Sequence, residues 1–402
     1  MFLANAGPHH RSPLLVGDSA ILGDDGADEV ERFLAVRADH RPTPLLSLSA
    51  LAARLGIGEL LVKDEAHRLG LCSFKALGGA YAVVRLVIER ACLQLGRQID
   101  YSELGQADVR SVAAGMIFAC ATDGNHGRSV AQGARFVGAK AVIFVHGGVS
   151  LGRVAAIAAF GAEIMRVDGT YDESVTEAAH VSETNGWTVV SDTSWEGYER
   201  IPGLVMQGYT TILREALRQM REPPTHLFVQ AGVGGIAAAL GGHAALVLGA
   251  HRPKLVVVEP TLSACIFASA NAGHPVKVSH GASTVMAMLE CYEPSQVAWR
   301  ILARVADAFM TVEDEEAIAA MNSLARPLPG DPAIVAGESG AAGLAGLLQA
   351  AGDEAMRRTL GLDSDARILM INSEGATDPA RYRELVGLGP EDVQMAGAEH
   401  RV

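Results

Sequence analysis

Two doubly wound α/β units are the fold class that this sequence predicts. Three observations carry the expectation. At 402 residues the chain is too long for one ordinary core. It is 49% hydrophobic and 20% charged with 44 glycines, which suits many tight strand-to-helix turns. Apolar runs of strand length also alternate with amphipathic stretches of helix length, the pattern of βαβ units and a parallel sheet.

The alternation is clearest after Ser111. "AGMIFACAT" reads as a buried strand, "GRSVAQGARFVG" as a helix with an apolar stripe, and "AKAVIFVH" as the next strand. "LGRVAAIAAFG" and "AEIMRVD" repeat the pair, and "YDESVTEAAHVSETNG" and "WTVVSDT" repeat it again. The pattern then restarts with the long helix "GLVMQGYTTILREALRQM", the strand "THLFVQAG", the helix "GGIAAALGGHAALVLG" and the strand "KLVVVEP". "ARILMINSEG" supplies a last strand and glycine turn. The polar segment Gly96–Ser111 reads as a connection across a domain boundary. The expected organisation is a smaller α/β unit over 113–200, inserted into a larger one made of 1–112 and 201–402.

A net charge of −13 argues against a nucleic-acid partner, whose binding surface needs clustered Lys and Arg. It leaves room for an anionic cofactor, because backbone N–H groups at a helix start hold a phosphate without net positive charge. "MFLANAGPHHRSP" lacks the basic and apolar segments of a signal peptide, so a cytoplasmic protein is expected. Ala231–Ala250 carries no formal charge over twenty residues, but its six glycines and His243 favour a buried helix over a membrane span. The five cysteines form no CxxC pair, so no metal site is expected, and an odd count suits reduced thiols. Nothing in the sequence establishes that Cys265 and Cys291 meet.

Four constellations bear on chemistry. In "CSFKALGGAYAVVRLVIER", Ser73 reads as an N-cap and Lys75 falls at the start of a helix. The macrodipole there opposes a structural cation and lowers an amine's pKa, which suits a nucleophile or Schiff-base lysine; the competing reading is a solvated surface lysine. Phe74, Gly78 and Gly79 point to a packed element. In "VQAGVGGIAAAL", the turn Gly232, Val233, Gly234, Gly235, Ile236 is a strand–turn–helix cradle for a phosphate. The same residues fit a relaxed dinucleotide fingerprint, with Glu259 placed as a ribose-binding acid, so a dinucleotide-dependent oxidoreductase is a rival. "ATDGNHG" gathers Asp123, Asn125 and His126 around two glycines after a strand, more than an ordinary turn requires. "VVSDTSWEGY" puts Asp192 at the end of another strand. In a parallel sheet such ends line the ligand crevice, where two carboxylates serve as bases or hold a cation.

"SFKALGG", "ATDGNHG", "SDTSWEGY" and "QAGVGG", in this order, resemble the fold-type II pyridoxal-phosphate enzymes and, more narrowly, the diaminopropionate ammonia-lyases. The likeness runs from "KDEAHRLG" near Lys63 to Glu384. It implies a tryptophan synthase β-like fold of two α/β domains with the active site between them, and a homodimer. It also implies pyridoxal 5'-phosphate as cofactor, Lys75 as the Schiff-base lysine with Phe74 beside it, and Asn125 on the cofactor's phenolic oxygen. Residues Gly232 to Ile236 would hold the phosphate, and Asn372 or Ser373 would meet the pyridine nitrogen. Asp123 and Asp192 would take the α-proton from the D- and L-substrate respectively. The chain departs from the family pattern at Asn372-Ser373, where relatives carry a Ser-Thr pair. The implied reaction is the α,β-elimination of 2,3-diaminopropionate to pyruvate and two ammonia. A serine or threonine dehydratase, or a lyase for another β-substituted amino acid, is the nearest alternative.

Overall fold

The structure, a computed structural model, describes residues 1–122, 124–169 and 171–399. Eleven strands are formed among them: β1 (Phe2–Ala4), β2 (Leu45–Ser47), β3 (Glu59–Asp64), β4 (Ile117–Ala121), β5 (Lys140–His146), β6 (Glu163–Val167), β7 (Thr188–Val189), β8 (His226–Gln230), β9 (Lys254–Pro260), β10 (Ala306–Val312) and β11 (Arg367–Asn372). Contacts divide the chain into two compact units. The first is Met1–Asp24, Pro42–Phe74 and Ile212–Val402; the second is Asp25–Arg41 and Lys75–Thr211. This division groups the helix Lys75–Leu95 with the sheet that the sequence reading begins at 113, and its last boundary falls inside the helix Arg200–Gln219.

The first unit is built on a seven-stranded sheet in the order β1-β10-β9-β8-β11-β3-β2. The five inner strands are parallel, and only the three-residue strands β1 and β2 at the edges run antiparallel. Helices cover both faces, so inner strands such as β8 and β9 are near-continuous apolar runs with almost every residue buried. Strand order reverses between β8 and β11, with β9 and β10 laid down to one side and β3 to the other.

The second unit holds a parallel sheet in the order β6-β5-β4-β7, with its own core around Ala119, Val142, Phe144 and Ala178. Its order reverses between β4 and β7. The glycines of "KALGGAY" have a packing cause. A Cβ on Gly78 would lie 2.5 Å from the Tyr209 ring, and one on Gly79 would lie 2.8 Å from Ser129 Oγ. The helix Asn125–Val137 is brought equally close: a Cβ on Gly133 would lie 2.6 Å from the Ala80 Cα, and the Ala80 N–H donates to Ser129 Oγ at 2.9 Å.

Two local expectations are corrected. Gly96–Ser111 is not a boundary connection: it contains a 3-10 turn at Tyr101–Glu103 and the start of the helix Ala107–Ala114, with the second unit on both sides. Ser73 is not at the N-cap position, because the helix begins at Lys75; Ser73 instead forms a β-bridge with Glu374.

A buried ionic network anchors the segment that leads towards Lys75. Arg68, with none of its surface exposed, donates twice to Glu65 and twice to Glu215, each bond 2.8 Å long. Lys63, equally buried, reaches Glu215 at 2.7 Å and donates to the Thr43 carbonyl and to Gln219 at 2.8 Å. Two cations and two anions thus cancel, as burial requires. Burial pushes the Glu215 carboxyl up, but Arg68 and Lys63 outweigh it and lower its pKa from 4.5 to about 2. A depressed folded-state pKa gives stability that is present above about 4.5 and is lost as pH falls towards 2, a contribution of about 3 kcal/mol. Glu215→Gln is therefore expected to lower the urea-unfolding free energy at pH 7 by about 3 kcal/mol or more. That deficit should shrink as pH falls through the window; a deficit of equal size at pH 7 and pH 2.5 would contradict the assignment.

Candidate active site

In the second unit Asn125, His126 and Asp192 follow β4 and β7, the strands on either side of the reversal, and beyond the carboxyl ends of such strands parallel α/β sheets bind their ligands. Past β4, the chain turns on Thr122, whose Oγ1 accepts from the N–H groups of Gly124 and Gly127 at 3.0 and 3.2 Å. Gly127 is needed there, since a Cβ would lie 2.3 Å from Thr122 Cγ2. The turn opens the helix Asn125–Val137, so Asn125 and His126 fall in its first turn, both buried. Asp123 lies outside the described residues. Past β7, the chain carries Asp192 back towards Lys75.

Lys75 Nζ donates to Asp192 Oδ2, so two residues 117 positions apart form one ion pair. Burial alone would raise the Asp192 pKa, but the Lys75 ammonium beside it holds it well below the carboxylate range. Asp192 keeps 17% of its side chain exposed and Lys75 keeps 20%, enough for a small molecule to reach both. The loop bearing Asp192 is fixed by Tyr198, whose hydroxyl donates to the Val189 carbonyl at 2.8 Å and accepts the Ser191 N–H at 3.0 Å.

In the first unit the residues follow β8 and β11, which flank the other reversal. Gly232 to Gly235 form the turn from β8 into the helix Gly235–Leu248. Gly234 adopts φ +96°, a left-handed conformation, and a Cβ there would lie 3.0 Å from Ile266 and 3.1 Å from Leu302. A Cβ on Gly232 would lie 2.9 Å from Cys291 Sγ. The Ser295 N–H holds the Val233 carbonyl at 3.0 Å. Ile236, buried, lies in the helix's first turn, where N–H groups have no carbonyl one turn back and face an anion naturally.

Asn372 ends β11 and Ser373 follows it, and their hydrogen bonds differ. Both Asn372 amide protons are used, by Asp64 Oδ1 at 2.7 Å and the Val335 carbonyl at 3.1 Å. Ser373 Oγ accepts from Gln230 Nε2 at 2.6 Å, which leaves its own proton to donate. The Phe74 N–H donates to the Ser373 carbonyl at 2.9 Å, and the Gly375 N–H to the Cys72 carbonyl at 3.0 Å, so the turn after β11 pins the segment that ends at Phe74.

Three residues were not singled out for these tasks by the sequence. Gln230 and Tyr198 act through hydrogen bonds to neighbours that no periodicity reveals, and the close approach of His126 to Asp192 depends on folding β7 beside β4. Glu259, expected as a ribose acid in the oxidoreductase reading, is fully buried instead. Its carboxylate accepts the N–H groups of Ile266 and Phe267 at 2.8 and 2.6 Å, at the start of the helix Cys265–Ala272, and burial pushes its pKa up to about 8. It has no face left for a ribose. All five cysteines are thiols, Cys265 and Cys291 included.

The second unit sets an amine beside a carboxylate, and the first unit carries a glycine turn at a helix start and a serine hydroxyl with a proton to donate. The class defined by this fold and these donors is a cofactor-dependent α/β enzyme of fold-type II. Residues 36–374 match the family described as pyridoxal-phosphate dependent enzyme. The chain is 40% identical over 382 residues to the diaminopropionate ammonia-lyase of Escherichia coli strain K12, covering 93% of this chain and 94% of the relative. The crystal structure of the Escherichia coli diaminopropionate ammonia-lyase with an aminoacrylate-PLP azomethine reaction intermediate superposes with a TM-score of 0.84, at 37% identity and 96% coverage of both chains. The complex of that enzyme with D-serine superposes with a TM-score of 0.86, at 36% identity and 98% coverage of both. The chain belongs to the pyridoxal-phosphate-dependent enzymes.

A side chain at Gly234 would force a β-branched residue into a left-handed conformation against packed neighbours, at a cost of about 1–3 kcal/mol. Gly234→Val is expected to weaken pyridoxal-phosphate binding about tenfold or more, read by equilibrium dialysis with the visible absorbance of the retained cofactor. Unchanged affinity in a folded variant would remove the turn from the cofactor site.

Proposed function

We infer that this chain is a pyridoxal-phosphate-dependent ammonia-lyase that converts 2,3-diaminopropionate and one water to pyruvate and two ammonia. The observation that carries the reading is the Lys75–Asp192 pair at the β4/β7 reversal: the amine suited to hold the cofactor has a base against it. The near full-length likeness to diaminopropionate ammonia-lyase supports the substrate. When bound, pyridoxal phosphate supplies the electron sink that stabilises a carbanion at the substrate's Cα.

The protein residues supply the rest. Lys75 holds the cofactor through its amine and Phe74 packs beside it. The N–H groups of Gly232, Val233, Gly234, Gly235 and Ile236 bind the phosphate. Asn125 bonds the phenolic oxygen. Ser373, not Asn372, donates to the pyridine nitrogen, because only its proton is unspent; Asn372 orients the turn through Asp64 and Val335. A neutral hydroxyl donor leaves that nitrogen largely unprotonated.

Asp192 removes the α-proton from the L-isomer and Asp123 from the D-isomer. While Lys75 is an ammonium, Asp192 is a weak base; when that amine is neutral, the charge that depresses the Asp192 pKa is gone. The proton then moves from Cα to an Asp192 oxygen, and the electron pair left behind expels the substrate's second ammonium as neutral ammonia. The resulting enamine takes up water, giving pyruvate and the second ammonia. The same carboxylates favour a substrate with a second ammonium over one with a hydroxyl. A cytoplasmic homodimer is the form in which we expect the enzyme to work; the reduced cysteines support that compartment.

The test is a steady-state panel. Turnover of D- and L-2,3-diaminopropionate well above serine and threonine is expected, with Asp192→Asn lowering L-isomer kcat at least about a hundredfold and D-isomer kcat less. A strong serine preference would make the enzyme a dehydratase, and equal losses for both isomers would end the division of the two acids by face.

A further inference from the structure

We propose that His126 is a positioning residue for Asp192: it presents an acceptor nitrogen that gives the Asp192 carboxyl a hydrogen-bond partner only when Asp192 carries a proton. The inference rests on Asp192 being the acceptor of the L-substrate's α-proton.

The geometry assigns the ring's hydrogens. His126 is 6% exposed, and its Nε2 lies 2.8 Å from the Val190 carbonyl oxygen. A carbonyl only accepts, so Nε2 carries the hydrogen. In a neutral ring Nδ1 is then a bare lone pair. That nitrogen is buried without a hydrogen-bond partner, and it faces Asp192 Oδ2 at 4.0 Å. Burial lowers the His126 pKa; Asp192 opposes this and Lys75 adds to it, so the ring stays neutral.

Two acceptors facing one another gain nothing while Asp192 is ionised and paired with Lys75. When the Cα–H bond breaks and the proton passes to Asp192, the new O–H has an acceptor waiting in Nδ1. The electron pair stays with the substrate until the Cβ–N bond breaks, so His126 exchanges no proton with substrate. A hydrogen bond to the neutral form of an acid raises its basicity. His126 therefore raises the proton affinity of Asp192 in the state where Lys75 no longer lowers it. Tyr198 pins Val189 and Ser191, and His126 itself pins Val190, so the gap closes by a turn of the Asp192 side chain. Among the described residues, the other groups that act on Asp192 or are acted on by it are Cys120, Tyr198 and Tyr209. Burial pushes all three upwards in pKa, so they remain neutral and leave Lys75 and His126 to set the carboxyl.

The test compares His126→Gln with wild type as holoenzymes, since a glutamine amide can keep the donor to Val190 while removing the acceptor at Nδ1. Expected for the L-isomer are a kcat lowered about tenfold, a KM little changed, and an acidic limb of the pH–kcat profile moved down by roughly half a unit to one unit. The D-isomer should lose less. An unmoved acidic limb, or equal losses for both isomers, would overturn the inference. Should the variant fail to fold, nitrogen-15 spectra of histidine-labelled wild-type enzyme decide: a bare Nδ1 on His126 supports the proposal and a protonated one refutes it. Asp192→Asn separates the layers, because undiminished L-turnover there would sink the assignment of Asp192 itself.

Discussion

Lys75 stands where a helix is least hospitable to a cation, in the first turn, with the positive end of the macrodipole beneath it. An ammonium is kept there by Asp192, and the carboxylate in turn is kept ionised at partial burial by the ammonium. Neither group is comfortable alone. This mutual dependence matters for chemistry, because taking the amine away changes the carboxyl at once. A carboxylate that is weakly basic beside an ammonium and more basic beside a neutral amine needs no conformational change to alter its proton affinity. The packing of "KALGGAY" serves the same end: close approach at Gly78, Gly79 and Gly133 leaves the helix that starts at Lys75 little freedom to shift.

Sheet topology explains why the remaining groups lie where they do. Each unit has one place where strand order reverses, and the residues with assigned chemistry follow the strands on either side of it. In the second unit these are Asn125 and His126 after β4 and Asp192 after β7. In the first they are the glycine turn after β8 and Asn372-Ser373 at the carboxyl end of β11. The scaffolding is polar and buried. Gln230 fixes the Ser373 hydroxyl, Asp64 occupies Asn372, and the network of Lys63, Glu65, Arg68 and Glu215 anchors the segment upstream of Lys75.

Much of this was legible from the residues. The strands of the parallel sheets after Ser111 are long apolar runs, and their alternation with helices predicted β4 to β9 and β11. The four strands that escaped notice have physical causes: β1 and β2 are three residues long, too short to show alternation, β3 has only three apolar residues between Glu59 and Lys63, and β10 follows directly on the helix Gln296–Val305. Lys75, Asp192 and the glycine turn stood out because their types and settings are unusual. What the sequence left open depended on which hydrogen bonds were already spent. Asn372 and Ser373 are equivalent donors on paper, and only Asp64, Val335 and Gln230 tell them apart. Glu259 sat at the spacing of a ribose ligand, yet its oxygens are consumed by two backbone N–H groups.

The most direct measurement of the central claim is the visible spectrum of the purified protein before and after borohydride, followed by mass mapping of the reduced product. The account predicts a yellow protein that bleaches on reduction, with one phosphopyridoxyl group attached at Lys75. An adduct on a different lysine, or no adduct after incubation with pyridoxal phosphate, would contradict it.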